Sequence, residues 1–264
     1  MKRMIAFWMM TVLLFSQALA AATPTPPPVA IDQTVEQPPK IIQDVLDIAY
    51  SEWEVLAGRA LKQVNKFTEW RGKGIGFGWC GGYITWCMLQ AGVSMETLEP
   101  MKAEAKKNGG WYPAEGVYHV KEASVGKLLR GYQLMNRATN VPQPGFLVVY
   151  GCSYNKTIHV GLVYEVEALG NGRFRVTTLE GNMANRVKMY VHDYDMYAAD
   201  KQKNLSVVPE NEQVAEMSEV FSYEIATSKV GGKQHPFYIN TFLMPWVPGD
   251  AVNEQTTPTP PPAK

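Results

Sequence analysis

The chain has 264 residues, with 25 basic and 25 acidic side chains, four histidines and three cysteines. The balanced charge and the lack of a lysine- or arginine-rich run exclude the basic footprint of a nucleic-acid-binding protein. The chain has no CxxC pair and no cluster of histidines, so we expect neither a metal site nor a cofactor.

The first 20 residues have the form of a secretory signal peptide. Lys2 and Arg3 precede an apolar run at 4–15, and the small residues Ala18 and Ala20 are typical of a cleavage site. The run is shorter than the about 20 residues of a membrane span. We therefore expect cleavage after Ala20, export to the cell envelope or medium of a bacterium, and no integral membrane segment in the mature chain. An uncleaved anchor is the alternative.

Proline- and threonine-rich segments bracket a single domain. Residues 21–39 and 249–264 contain runs such as Thr-Pro-Thr-Pro-Pro-Pro, which favour extended linkers over folded structure. Residues 40–248 contain no internal repeat and no change of composition class, and they are numerous enough for one domain with a sizeable core.

The stretch at 78–92 predicts a helix whose first turn carries a thiol. A glycine-rich run ends at Gly78, and Gly92 is a typical helix stop. Cys80 would then face unpaired N–H groups and the positive end of the helix dipole, which favour the nucleophilic thiolate. Gly81 and Gly82 are poor helix formers, and beside a nucleophile they would let a substrate backbone approach closely. A buried core cysteine is the alternative interpretation of Cys80.

The other predicted elements are helices followed by strands. Apolar residues at three- and four-residue spacing predict a packing helix, and β-branched alternation around a Gly-Asn-Gly turn predicts a β-hairpin. The predicted helices are 40 to about 66, 101–107 and 124–132, and the predicted strands are 146–150, 158–167 and 173–182.

The hairpin places a histidine beside a carboxylate and an amide. With a four-residue loop at 169–172, His159 lies opposite Asn182, and Glu180 is its diagonal neighbour on the same face. A histidine with a polar partner is what a cysteine nucleophile needs for activation. A satisfied core histidine and a solvated carboxylate are the alternatives, and a loop with an odd number of residues would put the groups on opposite faces.

The remaining histidines and cysteines have no comparable setting. An odd number of cysteines leaves at least one thiol free or in an intermolecular bridge. Cys80 and Cys87 cannot form a disulfide within one helix, because seven residues rise about 10 Å. The sequence does not decide whether Cys87 and Cys152 form one. The histidines without a polar partner in the predicted hairpin are His119, His192 and His235.

These motifs resemble the CHAP domain family of cysteine amidases and peptidases, which is related to the NlpC/P60 group. The matching segments follow the family's order. They read Trp-Cys-Gly-Gly-Tyr-Ile-Thr-Trp-Cys at 79–87, Pro-Gly-Phe-Leu-Val-Val-Tyr at 144–150, His-Val-Gly-Leu-Val at 159–163 and Glu-Gly-Asn at 180–182. The chain departs from the pattern at Phe146, where the family usually has an aspartate.

The resemblance implies a papain-like α+β fold, in which N-terminal helices, one of them bearing the cysteine, pack on an antiparallel β-sheet. It implies that Cys80 is the nucleophile, that His159 is the general base, that Glu180 orients the imidazole, and that Asn182 is a further polar residue of the site. It also implies a peptidoglycan substrate, cleaved at a muramoyl-alanine amide bond or at a peptide bond. Residues from about 193 to 233 look like an insertion before the last strand that could cover or narrow the cleft.

Two other classes of function, one enzymatic and one binding, use or retain the same residues. A protein-directed cysteine peptidase or an acyl transferase would share the cysteine–histidine chemistry, and a catalytically inactive module would only bind the wall. The presence of Cys80, His159 and Glu180 together disfavours the inactive module. The sequence carries no signal of an oligomeric state.

Overall fold

A computed structural model describes residues 34–153, 156–198, 227–230 and 233–249 of the chain. The predicted signal peptide, most of the two proline-rich segments and most of the predicted insertion lie outside these residues. The α+β class is confirmed, because the five helices of the described residues precede an antiparallel sheet and three of them pack on it. None of the helices in the described part combines the length and apolar character of a membrane span.

The helices lie in the N-terminal half of the described chain. They are α1 (Lys40–Leu56), α2 (Lys66–Glu69), α3 (Cys80–Gln90), α4 (Leu98–Lys107) and α5 (Val125–Leu134). The first helix stops ten residues short of its predicted end. Ala57 and Gly58 have φ values of 45° and 70°, and this left-handed pair ends α1 with the Ala57 N–H bonded back to Trp53.

The strands form one large sheet and two small ones. The strands are β1 (Met95–Glu96), β2 (His119–Val120), β3 (Ala138–Thr139), β4 (Leu147–Ser153), β5 (Lys156–Gly170), β6 (Arg173–Met183), β7 (Arg186–Asp195), β8 (Thr227–Val230), β9 (Lys233–Pro236) and β10 (Tyr238–Leu243). The large sheet has the order β3-β10-β4-β5-β6-β7, and all its pairs are antiparallel. The pairs β1–β2 and β8–β9 form two further sheets of two strands each.

The large sheet curls on itself. Phe242 on β10 and Tyr194 on β7 are four strand positions apart, about 19 Å in a flat sheet. Their ring centroids are 5.2 Å apart, so the inner faces of the two strands meet across an enclosed interior. This curvature brings side chains from β4, β5, β6 and β7 together.

The β5–β6 hairpin reaches the predicted alignment by a different route. Its turn has two residues, Asn171 and Gly172, both with positive φ, instead of the predicted four-residue loop. Two register shifts in β5 follow, and beyond them Val163 pairs with Thr178 and Leu162 with Leu179. Two single-residue bulges cancel the two-residue difference in loop length. The side-chain alternation that puts position 159 on the face of position 180 is therefore preserved.

Helix α3 is the centre of the domain. Its first six residues and positions 87 and 88 are all buried, which is typical of a helix enclosed on every side. The Tyr83 hydroxyl donates to the Ala49 carbonyl of α1 at 2.7 Å, and the Tyr83 ring meets Phe67 of α2 edge-on at 5.0 Å. On the sheet side, a Cβ added to Gly181 of β6 would lie 2.5 Å from the Tyr83 Cβ.

The sequence suggested that the two glycines after Cys80 let a substrate backbone approach closely. In the structure they instead allow close packing of α3. A Cβ on Gly81 would lie 2.4 Å from the Ala123 carbonyl oxygen, and one on Gly82 would lie 2.9 Å from the Phe67 carbonyl oxygen. Neither distance is possible without moving backbone. The glycines therefore let two neighbouring segments press directly against the first turn of α3.

The described boundaries of the domain differ slightly from the predicted ones. Residues 34–39, expected in the linker, pack on the domain: the Glu36 N–H donates to the Gln143 side chain at 2.9 Å, and the Glu36 carboxylate accepts from the Gly249 N–H at 2.8 Å. At the other boundary, β7 continues to Asp195. The first three residues of the expected insertion at 193–233 are therefore part of the large sheet.

The close contact at Gly81 predicts a net loss of stability of up to about 2 kcal/mol in Gly81→Ala. Overpacking against fixed backbone costs about 1–3 kcal/mol, which exceeds the about 1 kcal/mol that alanine gains over glycine in a helix. Thermal or urea unfolding measures the difference.

Gly126→Ala in α5 is the matched control, because Gly126 is an exposed helical glycine with no atom within 4 Å of an added Cβ. It should be neutral or slightly stabilising. Equal stability of the two variants would show that α3 is not held as tightly as described.

Candidate active site

Cys80 is the first residue of α3 and is 9% exposed. The preceding residue, Trp79, caps the helix without a side-chain hydrogen bond, so the first N–H groups of the helix remain free to act on other partners. The backbone N–H groups of Gly81 and Val160 both donate to the Cys80 sulfur. The thiol thus lies where α3 meets β5.

His159 near the start of β5 connects Cys80 with Glu180. Its Nε2 lies 2.9 Å from Glu180 Oε2, and the imidazole also hydrogen-bonds to the Cys80 thiol. Because Nε2 faces the carboxylate, Nδ1 is the ring nitrogen left for the sulfur. His159 is 5% exposed, and its ring contacts those of Tyr150 and Phe237, at centroid distances of 5.7 and 5.4 Å.

The charges of these three groups support one another. Burial alone would raise the pKa of the Cys80 thiol, but the hydrogen bond and charge of His159 and the two backbone donors lower it overall. Burial would likewise lower the pKa of His159, but its bonds to Cys80 and Glu180 raise that pKa to about 10. The balance favours a thiolate next to an imidazolium at neutral pH.

Glu180 is 1% exposed and is saturated with hydrogen-bond donors. Its Oε2 faces His159, and its Oε1 accepts from the Tyr150 hydroxyl at 2.5 Å and from the Thr178 hydroxyl at 2.7 Å. Burial would raise the pKa of this carboxyl group, but the bonds and charges of His159 and His192 lower it well below its usual range. Glu180 is therefore ionised in the interior of the curled sheet.

Asn182 lies at the same end of β6 but in a different environment. Its φ is 63°, within the irregularity that separates the β6–β7 pairs at 180 and 183. A Cβ added to Gly78 would lie 3.8 Å from Asn182 Nδ2, which places this amide beside the loop that leads into α3. Within residues 34–153 and 156–198, no hydrogen bond joins Asn182 to His159. The structure thus brings Cys80, His159 and Glu180 together and leaves Asn182 at the periphery.

Three buried side chains around Glu180 were not recognised in the sequence. Tyr150 and Thr178 donate to its carboxylate, and His192 of β7 lies 2.9 Å from the Tyr150 hydroxyl oxygen. Thr178 could have been found, because it precedes Glu180 by two residues on the same face of a strand. His192, which the sequence left without a polar partner, pairs with Val176 across the β6–β7 hairpin and so shares the face of Thr178 and Glu180. Only a prediction of β7 and of its register would have found it, and its contact with Tyr150 depends on the curl of the sheet.

The other thiols and histidines take no part in this cluster. Cys87 is a free, fully buried cysteine, and burial together with the charge of Glu52 raises the pKa of its thiol well above the usual value. The Cys152 and His235 side chains lie outside the described residues. His119 is buried between the hydroxyl groups of Thr85 and Tyr132, and burial lowers the pKa of its imidazole to about 3.

The contrast between the two free thiols predicts selective alkylation. Iodoacetamide at neutral pH should label Cys80 long before Cys87 in the folded protein, because only Cys80 is stabilised as a thiolate. Peptide mass spectrometry measures both rates in a Cys152→Ser background, and denatured protein is the control in which both sites react.

In His159→Ala, the pH midpoint of Cys80 labelling should rise towards about 8.5, the value of a free thiol. A wild-type midpoint already at that value would contradict the ion pair.

The comparison with known families agrees with this geometry. Residues 71–182 match the family model described as the CHAP domain. No curated protein and no solved structure matches the chain. The matched segment begins in the loop before α3 and ends at Asn182, so it contains the thiol, the imidazole and the carboxylate, while α1, β7 and β10 lie outside it. We conclude that residues 71–182 of this chain form a CHAP domain, of the family of cysteine amidases and peptidases that includes peptidoglycan hydrolases.

Proposed function

We propose that this protein is a secreted bacterial cell-wall hydrolase that cleaves amide bonds of peptidoglycan by a Cys-His-Glu thiol mechanism. The bond cleaved is the N-acetylmuramoyl-L-alanine amide or a peptide bond of the stem or bridge. The observation that carries the proposal is the hydrogen-bonded row of Cys80, His159 and Glu180 within the segment that matches the CHAP domain.

In the acylation step, the Cys80 thiolate attacks the carbonyl carbon of the scissile amide. The carbonyl oxygen becomes an oxyanion at the N-terminus of α3, where free N–H groups and the helix dipole favour negative charge. His159 then gives its Nδ1 proton to the leaving amine as the C–N bond breaks. The products of this step are a free amine and a thioester on Cys80.

In the deacylation step, neutral His159 takes a proton from water as the water oxygen attacks the thioester carbonyl. The C–S bond breaks, the carboxylic acid product leaves, and the thiolate–imidazolium pair is restored. Glu180 keeps the proton on His159 Nε2 throughout and stabilises each imidazolium state. It does so without touching the substrate, because its two oxygens are occupied by His159, Tyr150 and Thr178.

Export is part of the proposal, because the substrate lies outside the cytoplasm. Support comes from the N-terminal sequence, in which a basic start, an apolar run and small residues precede the proline-rich segment. The same thiol chemistry would serve a protein-directed peptidase. It would also serve an acyl transferase, in which an amine and not water resolves the thioester. The nature of the released product separates these functions.

The first prediction of the proposal concerns the nucleophile. Cys80→Ala should lose all turnover while remaining folded, because the change is small and removes the only atom that attacks. Mass spectrometry of fragments released from purified peptidoglycan measures the loss. In the wild type, new N-terminal alanine identifies an amidase, and a cut within the stem or bridge identifies an endopeptidase.

Cys87→Ala is the control, because Cys87 lies on α3 away from the reacting atoms, and it should retain turnover. Continued release of fragments by Cys80→Ala would contradict the mechanism. Cleavage of proteins while peptidoglycan stays intact would favour the protein-directed peptidase.

The second prediction concerns the carboxylate. Glu180→Gln should lower kcat/KM by about 10²–10⁴-fold, because an amide cannot stabilise the imidazolium as a carboxylate does. In the wild type, the thiolate–imidazolium pair is present above the lowered pKa of Cys80 and below the His159 pKa of about 10. Without the Glu180 charge, the His159 pKa falls and the Cys80 pKa rises. Both limbs of the pH–rate profile should therefore move inward.

Asn182→Gly is the matched variant for this comparison, because glycine tolerates the φ of 63° at this position. It should reduce kcat/KM less than Glu180→Gln and leave both limbs of the profile in place. A larger effect at Asn182 than at Glu180 would assign the orienting role to the amide.

A further inference from the structure

A second imidazole lies behind the Glu180 carboxylate, on the side opposite His159. His192 projects from β7, and its Nε2 lies 2.9 Å from the Tyr150 hydroxyl oxygen and 3.3 Å from Thr178 Oγ1. The same nitrogen is 3.7 Å from Glu180 Oε1. All four side chains are buried, so their polar atoms satisfy one another in the interior of the curled sheet.

Counting hydrogens fixes the direction of each bond. A hydroxyl group carries one hydrogen, and an ionised carboxylate can only accept. Tyr150 and Thr178 both give their hydrogen to Glu180 Oε1. Their oxygens can then only accept from His192, so His192 must carry a hydrogen on Nε2.

We propose that His192 is a positioning residue that acts through Tyr150 to keep Glu180 ionised and aimed at His159. Its Nε2–H donates to the Tyr150 oxygen, which leaves the Tyr150 hydrogen for Glu180 Oε1. The row of hydrogen bonds then runs from His192 through Tyr150, Glu180 and His159 to the Cys80 thiolate. This inference rests on the proposed thiol mechanism, but it concerns the state of the thiol and not the identity of the substrate.

The direction of the effect follows from the groups that face this row. Loss of the His192 donor weakens the bond from Tyr150 to Glu180, because a donor that also accepts a hydrogen bond is polarised by it. A weaker donor leaves the carboxylate less stabilised, the imidazolium less favoured and the thiol harder to ionise. The titratable groups around the row are Cys80 from α3, Tyr150 from β4, His159 from β5, Glu180 from β6, and Tyr190 and His192 from β7, with Tyr190 stacked on His192 at 6.1 Å.

The test measures the pH dependence of Cys80 alkylation by iodoacetamide in the full chain. His192→Leu removes the donor and should raise the midpoint by about half a pH unit to one pH unit. His192→Gln keeps an N–H donor at a similar reach and should restore most of the wild-type midpoint. A role confined to packing would not distinguish these two variants in this way.

A double-mutant cycle tests whether Tyr150 is the intermediary. Tyr150→Phe should raise the midpoint by itself, and His192→Leu should add nothing in that background. An unchanged midpoint in His192→Leu, or an equal additional shift in the Tyr150→Phe background, would overturn the proposal.

If His192→Leu fails to fold, Tyr150→Phe alone tests the proposal, and an unchanged midpoint of Cys80 alkylation in that variant would overturn it. Because alkylation needs no peptidoglycan, a protein that fails to cleave the wall would refute the proposed substrate and leave this result standing.

Discussion

The burial of three ionisable groups in one hydrogen-bonded row is the constraint on which the rest of the structure depends. Burial by itself would discharge each group, because it raises the pKa of a thiol or carboxyl group and lowers that of an imidazole. In Cys80, His159 and Glu180, all three pKa values move the opposite way. The charged state therefore belongs to the assembly, and removal of His159 would leave the Cys80 thiolate and the Glu180 carboxylate without the imidazolium that stabilises both.

The sheet makes this assembly possible by separating the nucleophile from its carboxylate. Gly181 faces α3, so its neighbour Glu180 points to the opposite face, into the interior of the curl. Cys80 is held on the helix side, where its sulfur meets the N–H of Val160. The imidazole of His159, near the start of β5, links the two sides. The thiol can thus face a substrate while the carboxylate stays out of reach of water and substrate.

The sequence predicted the parts of the site that depend on local patterns. The helix start at Cys80 and the pairing of His159 with Glu180 follow from a glycine-flanked apolar run and from strand alternation. The alignment survived an incorrect loop length because two bulges in β5 compensate for the shorter turn. An even error in the loop keeps the side chains beyond both bulges on their predicted face, whereas an odd error would have separated the pair.

The parts that the sequence did not predict depend on contacts between distant segments. The curl of the sheet brings Tyr150 of β4 to the carboxylate on β6, 30 residues away along the chain, and to His192, which lies on the adjacent strand β7. Local alternation contains no information about that closure. The packing role of Gly81 similarly depends on the Ala123 carbonyl, which lies in a loop after β2. The early end of α1 is the exception, since Ala57-Gly58 is a local signal that helical periodicity obscured.

A glycine two residues after the histidine explains how the carboxylate reaches its partner. Continuing the ladder from Leu162 and Leu179 sets Gly161 beside Glu180, and a Cβ on Gly161 would lie 3.0 Å from Glu180 Cγ. Because Gly161 has no side chain, the Glu180 side chain can extend over this position towards His159. The His-Val-Gly segment at 159–161 thus supplies both the imidazole and the room that its carboxylate partner needs. Its spacing of two follows from the strand itself, since only alternate residues share a face.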